Sequence, residues 1–477
     1  MNVTRETQLT EVRPTAAVTA ARGALSRVRG AYRYLSLLAG LLVAIGAQYA
    51  IEQGQVQWGV LGYVVAALVV ATGVPAARGA PARAREQVVS RPAALRLALA
   101  GAGLASSIAT FALSGGNRYT LPGVLMWVIS VACWWGVFSE QARWRASAWL
   151  REVRSRLMHS RADAAAFILF VGILALGAAF LFVNLYGNPL EMNSDHAEKL
   201  LEINQVLEGT PYIFFEQNTG REPWQFWWTV LLIRLFNLPL DFMALKIGTS
   251  LIGFLALPGI YLLAREVFGT RVALVATLFA AVASWGVLLA RYGLRFPLLY
   301  CATAWTLYFL VRGLRRDERN SLLAAGVALG IGLQGYTSFR AMPFVGLLIV
   351  GLWAGWLYFR RERQAAKRAL VGAGMALVLA VAVCMPLIRY GVDYPDKLLY
   401  RVATRISGLE QQVEGSVPEI LLNNAKNALL MFNYRGDEVW VENLPYKPAM
   451  DPVLGALLVV GAAAAIGASV RKRDPWP

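Results

Sequence analysis

Residues 164–186 read AAAFILFVGILALGAAFLFVNLY, an apolar run of 23 residues. As a helix rising about 1.5 Å per residue, this run is roughly 35 Å long and can cross a hydrocarbon core of about 30 Å. Similar runs recur at Leu97–Leu113, Leu121–Phe138 and Leu370–Ile388. Hydrophobic residues make up 57% of the 477 residues and charged residues 16%, against about a quarter charged in a soluble globule. The sequence therefore predicts an all-α polytopic membrane protein.

The basic residues predict how the spans are oriented. The formal net charge is +17, and cytoplasmic loops of membrane proteins carry an excess of Lys and Arg. Placing every strongly basic turn in the cytoplasm predicts twelve spans and two cytoplasmic termini. We expect the membrane to be the plasma membrane of a prokaryote. The predicted spans are Tyr34–Ala50, Trp58–Val74, Ala93–Leu113, Leu121–Phe138, Ala164–Tyr186, Phe242–Ala264, Val272–Ala290, Phe296–Val311, Leu322–Gly335, Pro343–Phe359, Leu370–Ile388 and Pro452–Val470. No soluble domain with a basic face is visible, so nucleic acid is not an expected partner.

The same pattern predicts the domain organisation. The expected parts are a disordered cytoplasmic basic tail at 1–33, an accessory four-span module at 34–160 with a basic linker, and a core at 161–477 with external loops at 187–240 and 389–451. Within the first of these loops, Trp224–Phe236 is short for a span and rich in tryptophan. We expect it to form a helix in the outer membrane interface, where tryptophan is favoured.

A polar segment, Asn193–Pro223, follows the apolar run and carries the first candidate site. It predicts a helix that begins at Asp195 and ends before Gly209. With Glu198 three residues later, Asp195 fits a capping box. A carboxylate at the membrane surface can also act as a general base, and the two roles stay open. Three further acids are expected to be solvated, namely Glu191, Glu198 and Glu202.

Three arginines are predicted to lie on the outer side, against the usual bias: Arg291, Arg295 and Arg340. Such a residue can anchor the chain at the membrane surface. Guanidinium groups also hold phosphate through paired hydrogen bonds, so arginines near Asp195 indicate a lipid-linked phosphate substrate. Arg221 and Glu222 add a cation and a second carboxylate at the start of the tryptophan-rich helix, where a role at the helix terminus is the alternative.

Other polar side chains on the predicted outer side suit sugar hydroxyls: Tyr292, Tyr336, Asp437 and Asn443. The glycine and prolines around the last two also predict tight turns. The chain has two histidines, His159 and His196, too few for a histidine-rich zinc site. The sequence thus indicates no cofactor and leaves a divalent metal open.

From about Arg161 onward the chain resembles the GT-C membrane glycosyltransferases, especially the protein mannosyltransferases and the lipid A aminoarabinose transferases. The resemblance rests on the order and spacing of short motifs: Ser194-Asp195-His196, Tyr212–Phe215, Arg221-Glu222-Pro223, LAREVFGTR at 263–271, RYGLR at 291–295, and Gly436-Asp437 with Asn443-Leu444-Pro445. His196 stands where the family has a second acid.

The resemblance implies a GT-C-like transmembrane core that takes a sugar from a polyprenyl-phosphate-linked donor at the extracytoplasmic face. It implies that Asp195 activates a hydroxyl of a lipid, glycan or protein acceptor, with inversion, and that His196 and Glu222 orient the reacting groups. The donor phosphate would be held by Arg221, Arg291, Arg295 and Arg340, and the sugar or acceptor by Tyr292, Tyr336, Asp437 and Asn443.

Two other functions are compatible with a polytopic membrane protein of this composition. A transporter or lipid flippase would place ionisable residues near the bilayer midplane and often shows symmetry between its halves. Here the charges outside the basic turns cluster at the predicted outer surface, which favours the transferase. A non-catalytic scaffold descended from transferases is the third alternative, and Asp195 at the expected place speaks against it.

Overall fold

The computed structural model describes residues 16–73, 92–140, 161–407, 415–436, 438 and 444–472. These residues form seventeen α-helices, and their only β structure is two isolated bridges, so the predicted all-α polytopic class is confirmed. The helices are α1 (Ala16–Glu52), α2 (Val56–Gly73), α3 (Ala93–Leu113), α4 (Leu121–Phe138), α5 (Arg161–Phe182), α6 (Ser194–Leu207), α7 (Trp224–Phe236), α8 (Phe242–Phe268), α9 (Thr270–Val282), α10 (Ser284–Arg291), α11 (Phe296–Arg316), α12 (Arg319–Leu333), α13 (Met342–Phe359), α14 (Arg363–Asp393), α15 (Pro395–Ser407), α16 (Val417–Leu430) and α17 (Pro452–Lys472).

Every predicted span coincides with a helix or helix pair, but fewer than twelve are long and apolar enough to cross a membrane alone. Within the described ranges seven helices meet that condition, or eight when α9 and α10, bent by 52° at a short break, count as one span. Of the other predicted spans, α2, α12 and α17 have shorter apolar stretches. Helix α11 carries three arginines near its C-terminal end, at 312, 315 and 316.

The chain divides into two compact units. In the first, α1 and α2 pack with α17 around small side chains, among them Ala47, Ala66 and Ala456. Small residues let helix backbones approach closely: a Cβ on Gly62 would lie 2.8 Å from the Cβ of Ala47. Helix α1 begins at Ala16, so the disordered tail predicted through residue 33 is wrong from that residue on. Alanine and arginine dominate this stretch, and both favour helix.

The second unit runs from residue 80 to residue 451 and contains the candidate site. Helix α8 packs along α9 and α11, and α12 packs along α14. A Cβ on Gly326 of α12 would lie 2.2 Å from the carbonyl oxygen of Ala376, so only glycine allows this contact. Helices α3 and α4 pack on α14, where the Trp127 indole N–H donates to the carbonyls of Ala382 and Val383. The predicted four-span module is therefore divided between the two units.

Helix α7 packs on its neighbours in sequence. The Phe226 ring stacks on Phe215 with centroids 3.8 Å apart, and α7 contacts both α6 and α8. Its 13 residues span roughly 20 Å, less than a bilayer core. The helix expected at Trp224–Phe236 is confirmed, and its place in the membrane interface stays a prediction.

Candidate active site

The N-terminus of α6 is capped by Asn193. The Asn193 side chain accepts a hydrogen bond from the His196 N–H at 3.2 Å, and Nδ1 of His196 accepts one from the Asn193 N–H at 3.1 Å. This reciprocal pair is a capping box made by Asn193 and His196. The capping box predicted for Asp195 and Glu198 is therefore wrong, because the helix begins one residue earlier than expected. Asp195, at the second helical position, has its side chain available for other contacts.

The Asp195 carboxylate is held through one oxygen. Its Oδ1 accepts hydrogen bonds from Nδ2 of Asn218 and from Arg221, the latter at 3.3 Å. Within the described residues Oδ2 makes no hydrogen bond, and 36% of the side chain is exposed. Asp195 thus presents a carboxylate that is fixed through Oδ1, while no described residue hydrogen-bonds to Oδ2.

Asn218, which donates to Asp195, lies in a strained turn. Asn218, Thr219 and Gly220 have φ values of 46°, 64° and 89°, and a β-branched residue such as threonine is rarely found there. The turn closes a short hairpin in which Phe215 and Arg221 exchange backbone hydrogen bonds of 3.0 and 2.7 Å. Left-handed conformations of this kind cluster at functional sites.

Arg221 lies at the centre of three carboxylates on one face of α6. Its guanidinium contacts Asp195 at 3.3 Å, Glu198 at 2.6 Å and Glu202 at 3.1 Å. Glu202 was expected to be solvated, but its side chain is only 2% exposed, so that expectation is wrong for Glu202. Glu198 keeps 36% of its side chain exposed while it pairs with Arg221. The signal was present in the sequence, because positions i, i+3 and i+7 share one helix face.

The arginine occupies the place where three acids would otherwise face each other. Burial raises the pKa of Glu202, and the nearby Arg221 acts in the opposite direction. Among the described residues, no group of three His, Cys, Asp or Glu side chains is arranged to hold a metal ion. The acidic face of α6 is therefore built around a cation of the protein itself.

Lys199 is a buried amine on the same helix that the sequence analysis missed. It is 2% exposed, and its Nζ donates to the main-chain carbonyl of Asp195 at 3.1 Å. Burial, and then the charge of Arg221, lower the pKa of Lys199 to about 7. A lysine that loses and gains its proton near neutral pH thus lies beside Asp195.

Glu222 is the centre of a second charged cluster. Its carboxylate is fully buried and pairs with Arg295 at 3.0 Å and Arg340 at 3.1 Å. The Thr337 hydroxyl donates to both carboxylate oxygens, at 2.8 and 3.1 Å. Burial lowers the pKa of Arg295 to about 10, so this guanidinium stays charged at neutral pH. Two of the arginines predicted to bind phosphate are brought together here.

Arg291 lies apart from this cluster. Its guanidinium donates to the main-chain carbonyls of Phe180, Val183, Asn184 and Asn188, at 2.6 to 3.2 Å. These carbonyls lie at the C-terminal end of α5 and in the loop after it, where a helix leaves carbonyls without intrahelical partners. Arg291 therefore fastens α10 to the end of α5.

The predicted sugar-binding residues have different surroundings. The Tyr292 hydroxyl accepts a hydrogen bond from Asn193 Nδ2 at 3.0 Å, and its ring is buried beside the His196 ring. The Tyr336 ring lies under the Arg295 guanidinium, 5.5 Å from its Cζ. Tyr292 supports the cap of α6, and Tyr336 supports Arg295. Asp437 and Asn443 lie outside the described residues.

His196 is a buried neutral imidazole. Its Nε2 is 2.7 Å from the Tyr292 carbonyl oxygen, which can only accept, so Nε2 carries the proton and Nδ1 is the acceptor. The residue is fully buried. Since both ring nitrogens are engaged, His196 positions the start of α6 and the loop that leads to Arg295.

Acidification is expected to destabilise the fold through His196. Burial lowers the pKa of this imidazole to about 4, from about 6.5 in an unfolded chain. Between these values the unfolded chain binds a proton that the folded protein does not, so stability falls as the pH drops from 6.5 towards 4. The full difference corresponds to about 3 kcal/mol. The unfolding temperature of the purified protein should fall across this window.

The matched comparison is His196→Gln, whose neutral carboxamide does not titrate. The raised pKa of Glu202 acts in the opposite direction to that of His196, and comparing the two proteins removes that contribution. We expect the variant to lose less stability than the wild type between pH 6.5 and 4.5. An equal loss in both proteins would show that His196 is not the titrating group.

Helix α15 contacts the Glu222 cluster and the hairpin. The Arg340 guanidinium, which holds Glu222, also donates to the Leu398 carbonyl at 3.1 Å. Lys397 forms an ion pair with Glu216 of the hairpin, and the Tyr390 hydroxyl donates to the same glutamate at 3.0 Å. Hydrogen bonds and ion pairs therefore connect α15 to the hairpin and to the 3-10 helix Thr337–Ala341.

Three buried polar side-chain atoms find no hydrogen-bond partner among the described residues: Nε1 of Trp224, Oε1 of Gln225 and Oε1 of Gln334. The first two follow Glu222 in the chain, and the main-chain N–H of Trp224 donates to the carbonyl of Gln334. Buried polar atoms are usually paired. One donor and two acceptors of this kind match the hydrogen-bonding capacity of sugar hydroxyls or of water.

Residues 221–390 match the family model for dolichyl-phosphate-mannose-protein mannosyltransferases, about a third of the chain. The matched segment includes Glu222, Arg295 and Arg340 and begins after Asp195. Among curated proteins, none matches the chain significantly. The family match confirms the resemblance that the order of motifs predicted.

Proposed function

From the premise that this chain is a membrane glycosyltransferase of the GT-C type, which the family match supports, we propose a specific reaction. The enzyme transfers a sugar from a polyprenyl-phosphate-linked donor to a hydroxyl of a lipid, glycan or protein, at the extracytoplasmic face and with inversion. Asp195 is the general base.

The observation that carries this proposal is the state of the Asp195 carboxylate. A general base must reach the proton it takes with an oxygen that is not already engaged. Asn218 and Arg221 fix Oδ1, while Oδ2 has no partner among the described residues and the side chain is partly exposed. An acceptor hydroxyl can therefore bind to Oδ2 of a carboxylate whose orientation is already set.

The second cluster is proposed to bind the donor phosphate. Arg340 is the more accessible of its cations, with 25% of the side chain exposed, against 5% for Arg295. Both are held by Glu222, which keeps their guanidinium groups in place before a substrate binds. Arg221 pairs with the acids of α6, and Arg291 is taken up by main-chain carbonyls. The phosphate-binding role is therefore assigned to Arg340 and Arg295.

The reaction follows from these two assignments. The acceptor hydroxyl gives its proton to Asp195 as its oxygen forms a bond to the anomeric carbon. The bond from that carbon to the phosphate oxygen breaks, and polyprenyl phosphate leaves with the electron pair. Arg340 and Arg295 stabilise the negative charge that grows on the phosphate, as fixed cations do in a site with little water.

The membrane-spanning helices have a role in this proposal. A polyprenyl chain is apolar and stays in the bilayer, so an enzyme that uses it must place its polar site at the membrane surface. We place Asp195 on the extracytoplasmic side of a prokaryotic plasma membrane with both termini in the cytoplasm, because this arrangement puts the strongly basic turns inside.

The test is consumption of labelled polyprenyl-phosphate hexoses and pentoses by native membranes with and without the protein. Native membranes supply the acceptor. We expect one donor to be consumed only when the protein is present, and the label to appear in a product that identifies the acceptor. If label instead crosses the bilayer on an intact donor, the protein is a flippase and the proposal fails. If none of the labelled donors is consumed when the protein is present, the proposal also fails for those donors.

A further inference from the structure

A cleft of about 240 Å³ lies far from both charged clusters. Helix α12 begins at Arg319, which lines the cleft, and leads to Thr337, which bonds to Glu222. Helix α14 begins at Arg363, just before the cleft residues Lys367 and Arg368, and ends near Tyr390. The 15 residues of α12 alone span roughly 22 Å. The cleft therefore lies at the opposite ends of these helices, on the side that the charge rule assigns to the cytoplasm.

The charges lining the cleft have a positive excess. Its cations are Arg319, Lys367 and Arg368, and its acids are Glu140 and Asp317. Arg368 pairs with Asp317 at 2.8 Å with both side chains over 40% exposed, and Arg319 lies 3.6 Å from Glu140. The exposed Arg368–Asp317 pair is of a kind that is weak, whereas the Arg319 and Glu140 side chains are only 30% and 16% exposed. Among the described residues Lys367 forms no ion pair, which leaves one cation uncompensated.

Two helix N-termini add to this positive character. Helices α12 and α14 start beside the cleft, and among the described residues no side chain caps their first N–H groups. The N-cap residues are Glu318 and Glu362, whose carboxylates pair with Arg312 and Arg360. Uncapped N–H groups and the helix dipole favour a bound anion. Together with the three cations, they match a phosphate better than a carboxylate, because phosphate offers more acceptor oxygens.

The cleft continues into an apolar surface. Leu370 and Val371 follow directly on the basic residues of α14, and they are 54% and 46% exposed. Leu322 of α12 packs against Gly372, where an added Cβ would lie 2.3 Å from its Cδ1. A ligand with a phosphate at one end and hydrocarbon at the other would match both parts of this surface.

We propose that the cleft binds the phosphodiester headgroup of an anionic phospholipid, with Lys367, Arg368 and Arg319 around the phosphate and the acyl chains along α14. Basic pockets between helices on the cytoplasmic side are known to suit such headgroups. The net positive charge favours an anionic lipid over a zwitterionic one. This inference is independent of the reaction at Asp195.

The test uses the full-length protein in detergent and counts bound lipids by native mass spectrometry during titration with dioleoyl phosphatidylglycerol. Dioleoyl phosphatidylcholine and inorganic phosphate are the comparison ligands. We expect phosphatidylglycerol to bind at least tenfold more tightly than phosphatidylcholine, and inorganic phosphate to compete weakly. Competition by inorganic phosphate at a similar concentration would make the cleft a phosphate site and overturn the lipid proposal.

The variants separate the cleft from general surface charge. Lys367→Gln/Arg368→Gln should weaken phosphatidylglycerol binding by about tenfold, which is about 1.4 kcal/mol. The matched control is Arg360→Gln/Arg361→Gln, which removes two exposed cations from the neighbouring turn and leaves the cleft intact. An equal loss in both variants would show that binding follows net charge, and the proposed site would be wrong.

Discussion

The Asp195→Asn variant is expected to transfer sugar about 10² to 10⁴ times more slowly than the wild type, the usual contribution of a positioned general base. Asparagine is nearly isosteric with aspartate, and its carbonyl oxygen can still accept from Asn218 and Arg221, so the fold should persist. What is lost is the basic oxygen that takes the acceptor proton. The measurement is the initial rate of label transfer in native membranes at equal protein levels.

The control for this loss is Glu191→Gln, which neutralises an exposed carboxylate in the loop just before α6. It should transfer at the wild-type rate, because Glu191 lies outside both charged clusters. Equal rates for the Asp195→Asn variant and the wild type would leave Asp195 as a structural partner of Arg221 only. A slow Glu191→Gln variant would point to the net charge of the loop and contradict the role of a single base.

Arg221→Met is expected to cost about 3 to 5 kcal/mol of stability, the usual result of removing one partner of a buried ion pair. Glu202 carries the effect, since its side chain is 2% exposed and would keep a buried charge without its cation. Asp195 and Glu198 contribute less, because 36% of each side chain is exposed and water can solvate them. The measurement is the thermal unfolding temperature of the purified protein in detergent.

A double substitution distinguishes a buried charge from lost packing. Replacing both members by apolar residues, as in Arg221→Met/Glu202→Leu, removes the uncompensated charge, and such replacements are often neutral or stabilising. We expect the double variant to unfold at a clearly higher temperature than Arg221→Met alone. If the two variants unfold at the same temperature, the loss of stability comes from packing around position 221 and not from the buried charge of Glu202.

The fold class was predictable because apolar runs of membrane length leave little choice of structure. Residues 164–186 lie almost entirely within a helix that meets the span criterion, ending at Phe182. Helix length alone supports fewer spans than the charge pattern predicted, because the apolar stretches of α2, α12 and α17 are shorter and α9 and α10 are bent against each other. The charge rule infers the number of spans from the basic turns between them. The length of each helix depends instead on how its segment packs.

The contacts within the candidate site were harder to predict than its residue types. The predicted outer-side location grouped Arg291, Arg295 and Arg340 together, yet only Arg295 and Arg340 pair with Glu222. The partners of Arg291 are backbone carbonyls, which have no signature in the sequence. Lys199 was not predicted because its burial is a tertiary effect: the charges near it include Arg221 and Arg295, which lie far from it in the sequence.

The length of the hairpin that ends at Arg221, just before Glu222, limits which insertions and deletions this protein can accept. In extended backbone, consecutive side chains point to opposite faces. Arg221 meets the acids of α6 and Glu222 meets the arginines of the other cluster. If the strand shifts by one residue, a deletion between Phe215 and Arg221 would place Glu222 among the acids of α6. An insertion would place Arg221 among the arginines, so either change would bring like charges together. The length of this turn should therefore be more constrained in evolution than the identity of most residues within it.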